Sequence, residues 1–137
     1  MKSLSSGKIL ITLVAIWTTC GAYFFDWNHT HIFNPRWTPH AKFHNAQTML
    51  LGTCIGLITL WVLWVQKIDK KESLRLSIIL GSIYWLTQIG SLFFPGTALV
   101  DPEFFHTGDL PKQLINDVVM LVMLGIAYPL ELKRLKQ

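Results

Sequence analysis

Charge is scarce in this chain of 137 residues: Asp, Glu, Lys and Arg together make up 15% of it, against about 25% in typical soluble domains. Apolar residues fill 51%, and the mean hydropathy is +0.39. Small domains bury only a modest share of their surface, so a soluble protein of this size cannot hide so much apolar area. That excludes a soluble enzyme, a nucleic-acid binder and a disordered tail. Cysteine is scarce as well. Cys20 and Cys54 form no C-x-x-C pair, which argues against a thiol–disulfide relay, and both read as small buried hydrophobes. With no H-E-x-x-H helix and no carboxylate-rich helix pair, a metalloprotease or a ferritin-like di-iron centre lacks support. Internal repeats, low-complexity tracts and nucleotide-binding glycine loops are also missing. The length leaves room for one domain.

Long apolar runs are what the chain has instead. Ile9–Phe25, Ala46–Val65, Leu76–Phe94 and Leu114–Leu130 each contain 17 to 20 residues, close to the ~20 that cross a ~30 Å hydrocarbon core. Asp117 is the one formally charged side chain within them. Lipid offers the backbone no hydrogen-bond partner, so these runs are predicted to be helices, near 9–25, 39–66, 75–94 and 113–131. The expected fold is an all-α, integral membrane four-helix bundle, a single domain over residues 1–137. The first run follows Lys2 and Lys8 as a secretory leader would, but it is too long and no small-residue A-x-A site follows, so it reads as a retained helix.

Basic residues set the expected orientation. Nine of the twelve (Lys2, Lys8, Lys67, Lys70, Lys71, Arg75, Lys133, Arg134 and Lys136) fall at the two termini or in the loop after the second run, leaving Arg36, Lys42 and Lys112 for the other side. Both termini are thus predicted to be cytoplasmic, and the longer loops near Asp26–Asn45 and Pro95–Gln113 to face out. A bacterial inner membrane is favoured over a eukaryotic internal membrane. All five histidines (His29, His31, His40, His44 and His106) then lie on the outer side, together with Asp26, Asp101, Glu103 and Asp109.

The stretch from Asp26 to Thr48 is the densest in chemical options. Asn34-Pro35 signals a turn, and Thr38-Pro39 a helix start with Thr as N-cap and Pro in the first turn. On that helix His40 and His44 are i,i+4 neighbours, and Gln47 and Thr48 continue inward. Two imidazoles so spaced can chelate one metal ion, or one can hold the tautomer of the other. Equally, His, Trp27 and Trp37 suit an interfacial anchoring belt. Asn28-His29-Thr30 matches a glycosylation sequon but lies too near the first helix to be modified.

Deeper in the runs, Tyr84, Gln88 and Ser91 follow helical spacing with Thr87 beside them, a stripe suited either to a site or to interhelical hydrogen bonding. Gln113, Asn116 and Asp117 open the fourth helix, where Asp117 is either functional or a solvated carboxylate suited to a helix N-terminus. Gly52-Thr53-Cys54-Ile55-Gly56 is a G-x-x-x-G, which permits close packing within the bundle or, alternatively, a homo-oligomer face through Gly52 and Gly56.

The residues Asp26-Trp27-Asn28-x-Thr30-His31-x-x-Asn34-Pro35-x-Trp37-x-Pro39-His40-Ala41-Lys42-Phe43-His44-Asn45-Ala46-Gln47-Thr48 carry a resemblance. The chain resembles an uncharacterised family of small four-helix integral membrane proteins, bacterial and fungal, that shares this loop-to-helix sequence. Its layout is also similar to those of the DoxX-like and the emopamil-binding-type membrane proteins, in helix count and intramembrane polar residues alone. That implies four spans and no particular reaction.

Three functional readings stay open. The first is an acid–base enzyme (an isomerase, cyclase or transferase) acting on a lipophilic small molecule at the outer mouth of the bundle. His40, His44, Asp26 and Asp117 would be its catalytic groups, and Asn28, Asn45, Gln47, Tyr84, Gln88 and Asn116 its binding groups. The second is a non-catalytic membrane module, a small carrier or a complex subunit. The third is a metal, haem or quinone site on His40 and His44, joined by His29, His31 or His106. The lipid bilayer is the one firm partner expected; no cofactor is specified, and no nucleic acid is expected.

Overall fold

The computed structural model describes residues 5–137 and consists of four long helices, α1 (Ser6–Asp26), α2 (Pro39–Trp64), α3 (Lys70–Ser91) and α4 (Lys112–Arg134), with one turn of 3-10 helix at Pro102–Phe104. No strand occurs among the described residues. Lys2, one of the expected topology markers, lies outside them.

Local chemistry explains where each helix begins. Ser5 caps α1 by accepting from the Lys8 N–H, and Thr38 caps α2 by accepting from the Ala41 N–H, with Pro39 at the first position as its fixed φ favours. The third helix starts at Lys70 rather than near residue 75. Asp69 acts as its N-cap, accepting from the backbone N–H groups of Lys71 at 2.9 Å and Glu72 at 3.2 Å. Those bonds hold the Asp69 carboxylate below the usual range. Lys70, Lys71 and Arg75 therefore belong to the first turns of α3 and not to a loop.

The helices run alternately up and down around a square, each packed against its chain neighbours, with α1 also closing on α4. Across the diagonals α1 touches α3, whereas α2 and α4 do not meet. One end carries the start of α1, the short 65–69 connection and the end of α4; the other carries the two long loops. All five histidines fall at the long-loop end, where the sequence pattern grouped them.

The first helix is the hub. Ile11, Val14, Ala15, Thr18 and Ala22 follow one another at helical spacing, all buried. Close approach is bought with glycine on both flanks. A Cβ on Gly56 would lie 2.5 Å from the Ala15 carbonyl oxygen, and one on Gly7 would lie 2.8 Å from that of Ala127. A Cβ on Gly52 would meet the Thr18 carbonyl oxygen and the Tyr84 ring, each at 3.0 Å. The G-x-x-x-G pair is thus used inside the bundle, against α1. Cys20 and Cys54 are both free, and neither is buried as expected: Cys20 is half-buried and Cys54 exposed.

The distribution of polarity is inverted relative to a soluble bundle. Thr18, Thr59, Ser77, Asp117 and Glu131 are buried, while Leu13, Ile16, Leu50, Leu57, Ile79, Leu86, Val122 and Ile126 point outward and are exposed. Three helices, α1, α2 and α4, are long and apolar enough to cross a membrane. The third is as long, at 22 residues, but Arg75, Ser77, Ser82, Thr87 and Gln88 lower its hydropathy.

Gly56→Ala forces a methyl group onto α1 backbone and should destabilise the protein by about 1–3 kcal/mol, as overpacking does. Gly125→Ala, with nothing within 4 Å of the new carbon, should be neutral or stabilising by about 0.5–1 kcal/mol, because glycine is the poorer helix former. Thermal unfolding of both variants in mild detergent reads the contrast; equal effects would contradict the close α1–α2 approach.

Candidate functional site

A cavity of about 490 Å³ opens at the long-loop end between α1, α3, α4 and both loops, within the 300–1,000 Å³ range of small-molecule sites. Trp17, Phe25, Trp37, Tyr84, Trp85 and Phe104 give it aromatic walls. Asp26, His31, Gln88 and Asn116 supply polar groups, and Asp101 and Asp109 come from the α3–α4 loop. An ion pair between Arg36 and Glu103 ties the two long loops together over this end.

Asp26 is the last residue of α1 and faces the cavity. Its Oδ2 accepts from the Asn45 side-chain amide at 2.9 Å, while its Oδ1 lies 3.8 Å from His31 Nε2. The turn that follows α1 fixes how His31 presents itself. Asn28 Oδ1 accepts from the Thr30 N–H at 2.7 Å, and its Nδ2 donates to the Phe25 carbonyl at 2.6 Å, so the amide can point only one way. The Thr30 hydroxyl, 2.6 Å from the same Oδ1, must then donate to it. Its oxygen, 2.7 Å from His31 Nδ1, is left to accept, which places the neutral ring's proton on Nδ1. Nε2 therefore turns a lone pair, or a shared proton, toward the Asp26 carboxylate. At 3.8 Å the two stand just beyond direct hydrogen-bond range, a spacing that a small closure or one inserted oxygen atom would bridge. Trp37 packs edge-on against the His31 ring, with centroids 5.2 Å apart.

The cavity region also contains polar groups with no protein partner. The Trp85 indole N–H, Gln88 Oε1 and Asn45 Oδ1 are buried and make no hydrogen bond among the described residues, and the same holds for Asp117 Oδ1, which is off the cavity wall. Trp85 and Gln88 line the cavity itself. Unpaired buried donors and acceptors each cost free energy, and persist where a ligand or ordered water completes them.

The structure brings some of the sequence-predicted groups together and keeps others apart. Asp26, Tyr84, Gln88 and Asn116 share the cavity, and Asn116 Oδ1 accepts from the Trp17 indole at 2.9 Å. Asn45 reaches the site through Asp26. Asn28 sits one step back and orients His31 through Thr30; its sequon pattern is an Asx turn. Asp117 is buried in the bundle without lining the cavity. His40 and His44 lie on an exposed face of α2, their Nε2 atoms 3.0 Å apart and His44 Nδ1 3.2 Å from Gln47 Oε1. They pair with each other there, and no third His, Cys, Asp or Glu joins them in a metal-holding group among the described residues. The site also draws on His31, Thr30 and the tryptophans, which helical spacing does not place there. The 27–38 segment has no periodicity to place its side chains, although the Asn28-x-Thr30 spacing is a turn signal in its own right.

Thr30→Val removes the hydroxyl that fixes the imidazole. Nitrogen-15 spectra of histidine-labelled protein should show His31 protonated at Nδ1 in the native chain, and a shift toward the Nε2–H form in the variant. An unchanged pattern would break the Asn28–Thr30–His31 chain.

Comparison with known proteins adds membership but no activity. No curated protein and no solved structure matches this chain. Its family is shown directly: residues 10–137 match the family of unknown function DUF6640, and the chain belongs to it.

Proposed function

We propose that the chain is a multi-pass membrane protein whose long-loop end binds a lipophilic small molecule and moves a proton within it, as an acid–base enzyme of the isomerase or cyclase type. All four helices span on this reading. The apolar outward faces meet lipid, and the polar stripe of α3 (Ser77, Tyr84 and Gln88) is turned into the bundle, away from lipid. The basic bias puts both termini and the 65–69 connection in the cytoplasm and the cavity on the outer side.

The observation that carries the functional part is the Asp26–His31 pair held at the mouth of an aromatic cavity. Six aromatic side chains suit a hydrocarbon body, and the unpartnered Trp85 N–H and Gln88 oxygen suit one oxygen function on it. With the Nδ1 proton retained by Thr30, the proton shared between Nε2 and Asp26 is the one available for transfer. His31 delivers it to one substrate atom while Asp26 accepts a proton from another carbon, and the double-bond electrons shift between the two positions. The pair ends with the same number of protons it started with, so neither oxidant nor co-reactant is needed.

Incubating the purified protein with a membrane lipid extract in heavy water tests this. The native protein should introduce deuterium into one lipophilic species. Asp26→Asn and His31→Gln should each slow that exchange by about 100-fold or more, the low end of general acid–base contributions. No exchange above the level of the variants would remove the catalytic reading and leave a binding module.

A further inference from the structure

A second cavity, of about 240 Å³, lies at the opposite end of the bundle, among the start of α1, the 65–69 connection, the start of α3 and the end of α4. Lys8, Lys70, Arg134 and Glu131 line it beside Trp64. The acidic groups nearby are already engaged. Glu131, buried at 1% exposure, accepts from Arg134 Nε at 3.0 Å and from the Ser5 hydroxyl. Asp69 is committed to the backbone N–H groups of Lys71 and Glu72. Glu131 pairs directly with Arg134 and also attracts Lys8 from further off, while among the described residues neither Lys8 nor Lys70 has a carboxylate within 4.0 Å, so three basic side chains face one carboxylate and the small cavity stays net positive. Lys8 is also held in place. Its Nζ donates to the Leu63 carbonyl at 3.2 Å and sits 4.6 Å from the centre of the Trp64 ring, whose N–H donates to Thr12. An ammonium group has three donors, so Lys8 retains two for a ligand.

We propose that this cavity binds a phosphate group, supplied either by the headgroup of an anionic phospholipid or as free inorganic phosphate. Two like charges brought to one cavity repel each other, and an anion between them removes that cost while taking up the spare lysine donors. Basic pockets between helices at a membrane surface recognise lipid headgroups in this way. The site does not depend on the chemistry assigned to the other end.

The test uses the full chain in detergent micelles, titrated with phosphatidylglycerol or phosphatidylcholine and followed by native mass spectrometry. Phosphatidylglycerol should be retained in preference to phosphatidylcholine. Lys8→Gln and Lys70→Gln should each weaken its retention about fivefold, the scale of one lysine's attraction to anionic lipid, and Lys8→Arg with Lys70→Arg should restore it. Displacement by inorganic phosphate assigns the site to the phosphate group alone; retention in its presence assigns it to the lipid headgroup with its chains. Equal retention of the two lipids, or unchanged phosphatidylglycerol binding in the glutamine double variant, would overturn the proposal.

Discussion

Side chains that water disfavours cover the outward faces of all four helices, and that constraint governs where every polar group goes. Leu50 and Leu57 on α2, Ile79 and Leu86 on α3, and Val122 and Ile126 on α4 leave half or more of their surface uncovered by protein. A surface of this kind is stable only when something apolar covers it. The polar side chains are correspondingly driven inward or to the two ends. Inside, Thr18, Thr59 and Ser82 satisfy themselves by donating to the carbonyl four residues back, an economy available to hydroxyls on any helix. At the ends, larger polar and charged groups collect into two chemically distinct cavities, one aromatic and acidic, the other basic.

The close seating of α1 makes both cavities possible. Glycines at 7, 52 and 56 let its backbone press against α4 and α2, so the bundle is tight through its middle. It opens only where the long loops and the terminal turns spread apart. At the open end, α1 ends in Asp26 and passes straight into a hydrogen-bonded turn, and this puts a carboxylate and an imidazole within 4 Å of each other. Irregular backbone so placed, behind the last helical turn and under a pair of loops joined by an ion pair, has polar groups at Thr30 and Arg36 satisfied by the Asn28 and Asn34 side chains.

Much of the architecture was legible in the residues. Runs of 17 to 20 apolar residues foretold four helices, Thr38-Pro39 located the start of α2, and the uneven spread of histidine identified the end where the larger cavity lies. The start of α3 was missed because Asp69 looks like part of a charged loop until it is read as an N-cap followed by Glu72. Within the site, residues on helices were easier to place than those in turns. Tyr84, Gln88 and Asn116 follow from helical spacing and do face the cavity. His40 and His44 share a face as their spacing requires, but spacing alone does not say which way that face looks, and it looks outward. His31 lies in a segment whose conformation is decided by side-chain hydrogen bonds, which no periodicity reveals.

The proposed function requires a chain threaded four times through a bilayer, with the histidine-bearing end and the lysine-rich end in different compartments. Single cysteines at positions 106 and 71, placed in a chain with Cys20 and Cys54 replaced by alanine, can be probed in sealed vesicles with a thiol reagent that does not cross membranes. Only one of the two positions should react from outside, and the other only after the vesicles are opened. Reaction of both from the same side of an intact vesicle would contradict the account.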